Sequence, residues 1–314
     1  MEIVFHYDTG TVLANRLADL SSGGLSISHC TENDDAGFGR LMAEAEVLWH
    51  VLKPVTAEVI ANAPNLKLIQ KIGVGVNTID LKAAKRRGVR VANMPGTNSR
   101  AVAEMTLLLM LGALRCASLL DSACRRGEGW RLDAGVQDRL AELGGRTVGL
   151  IGYGAVPRTL APMLQAMGAR ILYTAQGKHR DALGEWRELP ALLSESDIVS
   201  LHLPLTPETE SMVDKAAIER MKPGSILVNT ARGGLVDQPA LVEALQSRHL
   251  AAAGLDVFAT EPLERDNPLL TLDNVFLSPH VAWLTQETLE RSIVVAVENC
   301  RRLESGQDLL HQIL

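Results

Sequence analysis

Short apolar segments of strand length alternate with longer segments of helical periodicity along this sequence, and the alternation occurs in two series. The first series of predicted strands is Ile3–Tyr7, Leu25–Cys30, Val47–Leu52, Leu66–Ile72 and Val89–Ala92. The second is Thr147–Ile151, Arg170–Thr174, Ile198–Leu201, Ser225–Asn229, Ala252–Asp256 and Val275–Leu277. Strands separated by helices form parallel sheets with helices on both faces. The chain is therefore predicted to be α/β, with two Rossmann-like, doubly wound domains.

Two long helix patterns separate and follow these series. An apolar helix is predicted over residues 99–120, and an amphipathic helix over residues 285–304 follows the last strand. A chain of 314 residues is long enough for two domains of roughly 100–200 residues each. A chain with two α/β domains is expected to hold its ligand in a cleft between them.

Composition argues against several classes of protein. Aromatic residues make up 4% of the chain, its net charge is −6, and it has no basic tract, so no nucleic-acid partner is expected. The apolar stretch from Ala101 to Leu114 contains Glu104 and is too short to span a bilayer. The first seven residues resemble a strand rather than a signal sequence, which favours a cytoplasmic protein without membrane contact. The four cysteines form no C-x-x-C pair, and no metal is expected.

A candidate phosphate-binding turn follows the first strand of the second series. Gly152 permits a tight turn, and Gly154 lets the backbone approach a pyrophosphate without a clashing Cβ. The helix that follows would offer free N–H groups and a positive dipole to the anion. Pro157 replaces the third glycine of the fingerprint. Proline is acceptable in the first turn of a helix, but the close helix–strand packing is then not assured.

The next strand lacks the acidic residue that usually binds the adenosine ribose. It is followed by Ala175 and then by the basic segment Lys178-His179-Arg180. The missing carboxylate removes repulsion against a 2′-phosphate, and the cations would attract one. The sequence therefore favours NADP(H) over NAD(H), although a solvated loop without effect on the cofactor remains the alternative.

Three later segments each place polar residues after a predicted strand, and together they contain Arg232, Glu261 and His280. Reduction of a 2-oxo acid needs a fixed cation for the carboxylate, and the planar guanidinium of arginine suits it. It also needs a proton donor, which histidine supplies near neutral pH, and a carboxylate would orient and charge that histidine. Each residue alone has an ordinary structural explanation. All three residues follow strands of one predicted sheet, and this common position favours a catalytic role over separate structural roles.

These segments resemble the signature regions of the D-isomer-specific 2-hydroxyacid dehydrogenase family, which includes glyoxylate and hydroxypyruvate reductases. Further family motifs match at residues 71–77, 91–96 and 102–104, so the resemblance covers essentially the whole chain. It implies an NAD(P)-dependent oxidoreductase that transfers a hydride between NAD(P)H and a small 2-oxo acid to give a D-2-hydroxy acid. It also implies a flavodoxin-like substrate domain of residues 1–98 plus 285–314, an inserted dinucleotide-binding domain of residues 99–284, and a homodimer formed through that inserted domain.

The resemblance also implies residue roles. Arg232 would bind the substrate carboxylate and carbonyl, Glu261 would pair with His280, and His280 would be the acid/base. The backbone N–H groups of Val74 and Gly75 would hold the substrate carboxylate. The cofactor residues would be Tyr153, Gly154, Ala155 and Val156 at the pyrophosphate, His202, Pro204 and Thr209 along the adenosine and ribose, and Thr230, Ala231 and Asp256 near the nicotinamide.

The substrate is less constrained than the reaction. The segment 49–54 aligns with a loop that faces the cleft, so Leu52 and Lys53 are expected to contact the substrate, and Lys53 would recognise a second anionic group. Trp283, three residues after His280, would favour a small or apolar substrate side chain, unless it is a core residue.

Two other functions are compatible with these motifs. One is a corepressor-like protein that binds the dinucleotide and recruits partners. The other is a formate or phosphite dehydrogenase. Glu261 with His280 favours 2-hydroxy acids over the latter, because the formate branch uses a different partner for its histidine.

Overall fold

A computed structural model of the chain describes residues 1–131 and 133–314, and only the backbone of Ser22. The chain divides into two compact units. Unit 1 contains residues 1–98 and 285–314, and unit 2 contains residues 99–284.

Unit 1 is built around a parallel sheet of five strands in the order β2-β1-β3-β4-β5. The strands are β1 (Glu2–His6), β2 (Ser26–Cys30), β3 (Val47–His50), β4 (Leu68–Lys71) and β5 (Arg90–Ala92). The helices are α1 (Thr11–Ser22), α2 (Asp35–Met42), α3 (Ala57–Ala61), α4 (Leu81–Arg86) and, near the C-terminus, α11 (Gln286–Glu304). The strand order is that of a flavodoxin-like doubly wound fold.

Unit 2 is built around a parallel sheet of seven strands in the order β12-β11-β10-β9-β6-β7-β8. The strands are β6 (Thr147–Ile151), β7 (Arg170–Thr174), β8 (Glu185–Trp186), β9 (Ile198–Leu201), β10 (Ser225–Asn229), β11 (Leu250–Leu255) and β12 (Val275–Leu277). The α-helices are α5 (Ser99–Leu114), α6 (Ala117–Arg125), α7 (Ala155–Ala166), α8 (Leu189–Glu195), α9 (Lys215–Arg220) and α10 (Gln238–Gln246), with 3-10 turns at Ala134–Arg139, Gly233–Leu235 and Pro268–Thr271. The reversal of strand order next to β6 is that of a Rossmann fold.

The sheet of unit 2 is covered on both faces, which explains why its strands are continuous apolar runs. One face contributes to a core that includes Val199, Leu227 and Leu241 of α10, and the other contributes to a core that includes Leu109 of α5 and Leu160 of α7. Parallel strands buried on both faces lose the alternation of polar and apolar residues that a half-exposed strand shows.

The structure departs from the sequence prediction in two places. The predicted helix over residues 99–120 is wrong as a single helix, because Cys116 adopts a left-handed conformation with φ 48° and separates α5 from α6. Strand β8 was not predicted, because two residues carry no detectable periodicity. Among the described residues no single helix is long and apolar enough to cross a membrane, and α5 and α6 satisfy the length and composition test only as a pair bent by 68°.

Candidate active site

Three polar turns leave the same edge of the unit 2 sheet. The last residues of β10, β11 and β12 are in register with one another. Arg232 lies in the turn after β10, Glu261 in the turn after β11, and His280 in the turn after β12. This edge is the carboxyl end of a parallel sheet, where open α/β folds bind their ligands.

Glu261 and His280 form a direct pair. Oε2 of Glu261 lies 2.6 Å from Nδ1 of His280, and Oε1 accepts a hydrogen bond from the N–H of Phe258 at 2.9 Å. Burial raises the pKa of Glu261, but its contacts with His280 and Phe258 outweigh burial and hold that pKa below its usual value. Glu261 is therefore an anion whose carboxylate holds the His280 imidazole through Nδ1. Because Nδ1 is engaged, Nε2 is the nitrogen left to exchange a proton with a substrate.

The turn that carries His280 is held by the buried carboxylate of Asp256. His280 has φ 54°, and its N–H donates to the Asp256 carbonyl oxygen at 2.7 Å. Oδ1 of Asp256 accepts from the Ser278 hydroxyl at 2.6 Å and the Val281 N–H at 3.0 Å, and Oδ2 accepts from the Ala282 N–H at 2.9 Å. Burial raises the pKa of Asp256 despite these donors. Three donors fix the left-handed turn, so Asp256 orients the imidazole.

Arg232 is a partly buried cation. Burial lowers the pKa of Arg232, and the negative charge of Glu261 partly offsets this effect. One guanidinium nitrogen, Nη1, donates to the carbonyl oxygen of Ala231 at 2.5 Å. A guanidinium removed from water interacts strongly with an anion that enters its surroundings, because the local dielectric constant is low. Arg232 therefore suits recognition of a substrate carboxylate.

The turn around Arg232 is held by its neighbours. Asn229 donates from Nδ2 to the Arg232 carbonyl oxygen at 2.9 Å, and its Oδ1 accepts from the Ala231 N–H at 3.0 Å. Gly233 packs against the turn after β11 so closely that a Cβ at residue 233 would lie 1.9 Å from the Phe258 carbonyl carbon and oxygen. Only glycine allows the turns after β10 and β11 to approach this closely.

The turn after β6 has the geometry of a phosphate-binding turn. Gly152 has φ 98°, its N–H donates to the Thr174 carbonyl oxygen at 2.9 Å, and a Cβ there would lie 2.6 Å from the His202 carbonyl oxygen. A side chain at residue 152 is therefore excluded by both conformation and space. Pro157 is buried in the first turn of α7, so proline is accommodated where the fingerprint has glycine.

The beginning of α7 offers free donors to an anion. Gly154 is the N-cap, and no side chain caps the helix. A Cβ at Gly154 would meet nothing within 4 Å, so the backbone faces open space there. The N–H groups of Ala155 and Val156 lie in the first turn, where a helix has no internal acceptors. These residues fit the pyrophosphate of a dinucleotide.

The loop after β9 contains His202, Pro204 and Thr209. Nε2 of His202 lies 3.0 Å from the Ser200 hydroxyl, and burial lowers the pKa of His202 to about 3, so the ring is neutral. Thr209 donates from its hydroxyl to the Pro204 carbonyl oxygen at 2.7 Å and closes the loop. The strand end of β9 is next to that of β6, so this loop borders the phosphate-binding turn.

Besides Asp256, three predicted site residues have buried side chains. Tyr153 is 5% exposed, and Thr230 and Trp283 are each 8% exposed. The hydroxyl of Thr230 lies 2.8 Å from that of Thr106 on α5. Tyr153 and Thr230 therefore offer a cofactor mainly backbone atoms, as does the partly buried Ala231 that follows Thr230.

The end of β7 carries no carboxylate. Ala175 is partly buried, and Nζ of Lys178 lies 5.1 Å from the centre of the Trp186 ring. The first acidic residue after β7 is Asp181, which forms an ion pair with Arg158 of α7. The usual partner of the ribose hydroxyls is therefore replaced by a mixed cluster of charges.

In unit 1, Val74 and Gly75 follow β4. Val74 is 42% exposed, and its carbonyl oxygen accepts from Nδ2 of Asn93 at 2.8 Å. Within the part of the chain that the structure describes, neither the Val74 nor the Gly75 N–H donates to another protein group. Both N–H groups are therefore free to bind an anion.

Lys53 already has partners within unit 1. Its Nζ lies 2.5 Å from Oδ1 of Asp35 and donates to the Glu32 carbonyl oxygen at 2.6 Å. The N–H groups of Leu52 and Lys53 both donate to Oε1 of Glu32, at 3.3 and 2.9 Å. Glu32 and Asp35 thus fix this loop and neutralise the cation expected to recognise a second anionic group.

Several of these contacts were not anticipated from the sequence. Asn229 carries a usable signal, because it is a polar residue at the end of a fully buried strand. Arg158 carries none, because nothing in the local pattern indicates that it reaches the loop after β7. No cluster of three or more His, Cys, Asp or Glu is placed to hold a metal ion in residues 1–131 and 133–314.

Comparison with known proteins gives concordant results. Residues 107–282 match the profile of the D-isomer specific 2-hydroxyacid dehydrogenase NAD binding domain. A glyoxylate reductase of Aeropyrum pernix is 40% identical over 272 residues, which cover 84% of this chain and 81% of that protein. A D-3-phosphoglycerate dehydrogenase of Mycobacterium leprae is 40% identical over 257 residues, covering 81% of this chain but only 48% of that longer protein.

A solved structure agrees with these relatives. The crystal structure of the TT0316 protein from Thermus thermophilus superimposes with a TM-score of 0.88 and 34% identity, and the match covers 100% of both chains. The family resemblance and the α/β fold with two parallel sheets are thereby confirmed. The chain belongs to the D-isomer specific 2-hydroxyacid dehydrogenase family and is an NAD(P)-dependent 2-oxoacid reductase of that family.

Proposed function

We propose that this protein reduces glyoxylate or hydroxypyruvate to the corresponding 2-hydroxy acid, of D configuration where the product is chiral, with NADPH as the preferred reductant. The observation that supports this most is the 2.6 Å contact of Glu261 with Nδ1 of His280, within electrostatic range of Arg232. It provides an anion-stabilised proton donor and a substrate-binding cation at one sheet edge.

The proposed roles follow from the geometry. The bound nicotinamide dinucleotide supplies the hydride. Arg232 binds the substrate carboxylate and polarises the carbonyl group. For unit 1, the family resemblance supports a separate proposal, that the backbone N–H groups of Val74 and Gly75 bind a carboxylate. His280 donates a proton from Nε2 to the carbonyl oxygen, and Glu261 orients the imidazole and stabilises its charged form.

A small substrate without a second anionic group suits the contacts of Lys53. Two of its three ammonium donors are already bound to Asp35 and to the Glu32 carbonyl oxygen, so a substrate phosphate would meet a single remaining donor beside a carboxylate. For unit 1 we propose that Leu52 and Lys53 contact the substrate. Trp283 of unit 2 is 8% exposed, which favours a core position for this residue over a limit on substrate size. The name of the Aeropyrum pernix relative, a glyoxylate reductase, supports the same substrate class.

The preference for NADPH rests on the end of β7. Ala175 leaves no carboxylate to repel a 2′-phosphate, and exposed basic side chains follow it. NADH and NADPH should therefore bind the same pyrophosphate turn, and the additional phosphate should strengthen binding. Steady-state KM values for both cofactors measure the difference. A lower KM for NADH would contradict this part of the proposal.

The decisive assay follows nicotinamide absorbance with each cofactor and a panel of glyoxylate, hydroxypyruvate, pyruvate, phenylpyruvate and a phosphorylated 2-oxo acid. We expect the highest kcat/KM for glyoxylate or hydroxypyruvate and a poor value for the phosphorylated acid. Dinucleotide binding without turnover of any acid would favour the corepressor-like alternative. Oxidation of formate or phosphite by NAD(P) in the reverse assay would favour a formate or phosphite dehydrogenase.

We also propose a homodimer formed through unit 2. The side chain of Trp130 is 99% exposed, and Leu108 of α5 is 51% exposed. A fully exposed indole is unfavourable in a monomer and is typical of a residue that packs in an interface. Light scattering on the purified protein tests this, with Trp130→Ala expected to raise the dimer dissociation constant. A monomeric wild type would contradict the proposal.

A further inference from the structure

A charged cluster joins the first turn of α7 to the loop after β7. Nη2 of Arg158 donates to Nδ1 of His179 at 3.2 Å, and Nη1 of Arg158 pairs with the carboxylate of Asp181. The cluster follows the strand end at Ala175, where an NAD site has a carboxylate for the ribose hydroxyls. The Arg158 side chain is 37% exposed, so the guanidinium reaches solvent while it is held in place.

The contact between Arg158 and His179 fixes the tautomer of the imidazole. A guanidinium has only donors, so Nδ1 of His179 must be the acceptor in this hydrogen bond. A neutral imidazole that accepts at Nδ1 carries its proton on Nε2. His179 therefore presents an N–H donor next to the remaining donors of Arg158. Two such donors side by side suit the oxygens of a phosphate.

Two buried tyrosine hydroxyls hold the loop that carries His179 and Asp181. The hydroxyl of Tyr173 accepts from the His179 N–H at 2.8 Å and donates to the His179 carbonyl oxygen at 3.3 Å. The hydroxyl of Tyr153 makes the same two contacts with Leu183, at 2.8 and 3.2 Å. The loop is thus held at residues 179 and 183, on either side of Asp181.

The rings of Tyr153 and Tyr173 also pack against the cluster. The two rings lie 4.4 Å apart between centroids, and the guanidinium carbon of Arg158 lies 5.2 Å from the centre of the Tyr153 ring. The His179 ring lies 5.7 Å from that of Tyr153. A cation over an aromatic ring is attracted by the ring electrons, so the position of Arg158 is fixed in advance of ligand binding.

We propose that Arg158 and His179 form the binding site for the 2′-phosphate of NADP, that Asp181 is the counterion of Arg158 when the phosphate is absent, and that Tyr153 and Tyr173 are positioning residues for this site. This inference rests on the proposed preference for NADPH. A phosphate dianion offers more charge and more acceptor oxygens than the carboxylate of Asp181, so it competes successfully for the guanidinium.

The test compares two nucleotides that differ only in the 2′-phosphate. Isothermal titration calorimetry on the full chain gives dissociation constants for 2′,5′-ADP and 5′-AMP, and steady-state kinetics give KM and kcat with NADPH. For Arg158→Gln we expect about tenfold or greater weakening of 2′,5′-ADP with 5′-AMP unchanged, because charge-assisted hydrogen bonds to the phosphate are lost. The KM for NADPH should rise with kcat at saturation retained.

Three further variants separate the roles. Asp181→Asn removes the competing carboxylate and should lower the dissociation constant of 2′,5′-ADP by about two- to tenfold. This is the effect expected from the removal of one exposed charge. Tyr173→Phe removes only the hydroxyl and should weaken 2′,5′-ADP by about threefold or more without affecting 5′-AMP. The matched control is Arg170→Gln, which removes an arginine paired with Glu185 at the opposite end of β7 and should change neither ligand.

Each contrary result has a defined meaning. Unchanged 2′,5′-ADP affinity in Arg158→Gln, or an equal loss in Arg170→Gln, would overturn the assignment of the phosphate site while leaving a measured NADPH preference intact. An equal loss of affinity for both nucleotides in Tyr173→Phe would overturn the positioning role of Tyr173, because a general loss of structure weakens the binding of both. A wild type that binds 2′,5′-ADP no better than 5′-AMP would overturn the proposed NADPH preference together with this inference.

Discussion

The Asp256 carboxylate could either orient His280 or contact the nicotinamide. The substitution Asp256→Asn distinguishes these two roles. Oδ1 of Asp256 accepts two hydrogen bonds and Oδ2 accepts one, all from the turn at residues 278–282. Asparagine has one carbonyl oxygen and one NH2 group. In either orientation of the amide, at least one donor of the turn faces another donor.

The cost of this change follows from the contacts. A buried N–H without an acceptor costs about 1–3 kcal/mol. Part of this cost is offset, because burial raises the pKa of Asp256 and a neutral amide removes the burial penalty of the charge. If about 1.4–2.7 kcal/mol of the loss appears as displacement of the imidazole, kcat falls by about ten- to hundredfold.

The assay measures kcat, the KM for NADPH and the urea unfolding midpoint of Asp256→Asn against wild type. We expect a lower kcat with the KM for NADPH within about twofold, since a twofold change is only about 0.4 kcal/mol. Asp214→Asn is the control, because Asp214 caps α9 through the Ala217 N–H at 2.8 Å and asparagine caps equally well. An unchanged kcat with a raised KM for NADPH would refute the reasoning and support a contact with the nicotinamide.

Three other variants test separate contacts. Glu261→Gln removes the anion beside His280, and kcat should fall by about ten- to a thousandfold with the melting temperature little changed; equal kcat would contradict the assigned pair. Gly233→Ala forces a Cβ to within 1.9 Å of the Phe258 carbonyl group, so urea unfolding should show a loss of about 1–3 kcal/mol and kcat should fall as well. The pKa of His6 is lowered to about 4 by burial and a neighbouring ammonium, so between pH 6.5 and 4 the unfolded chain binds a proton that the folded chain excludes. His6 should therefore contribute a decrease of up to about 1.4 kcal/mol in the free energy of unfolding for each pH unit of acidification in this window, and urea denaturation of His6→Gln should show a weaker pH dependence than wild type.

The two sheets were predictable from the sequence because their strands are buried on both faces. Such strands are continuous apolar runs between glycine-rich or polar turns, and this pattern is independent of neighbouring elements. The break between α5 and α6 was missed because Cys116 adopts φ 48° without the glycine that normally indicates a left-handed residue. Strand β8 was missed because pairing with β7, rather than local propensity, makes its two residues a strand.

The chemistry of the site was partly predictable for a similar reason. Arg232, Glu261 and His280 follow strands, and parallel strands bring their carboxyl ends to one edge. The contacts of Asp256 were not predictable, because they depend on the left-handed turn at His280, which has no glycine. The cluster of Arg158, His179 and Asp181 depends on side chains that meet across elements, which one sequence does not reveal.

The order of strands separates catalysis from selection of the cofactor. The turns with Arg232, Glu261 and His280 follow β10, β11 and β12, whereas the Arg158 cluster lies at the ends of β6 and β7, on the other side of β9. From β11 to β7 there are four strand spacings, or about 19 Å. Substitutions this far apart, without shared partners, add within about 0.5 kcal/mol. The combined variant of Arg158→Gln and Asp256→Asn should therefore show the KM for NADPH of the first and the kcat of the second. A coupling energy clearly above that limit would mean that the turn after β9, which borders the phosphate-binding turn, connects the two regions.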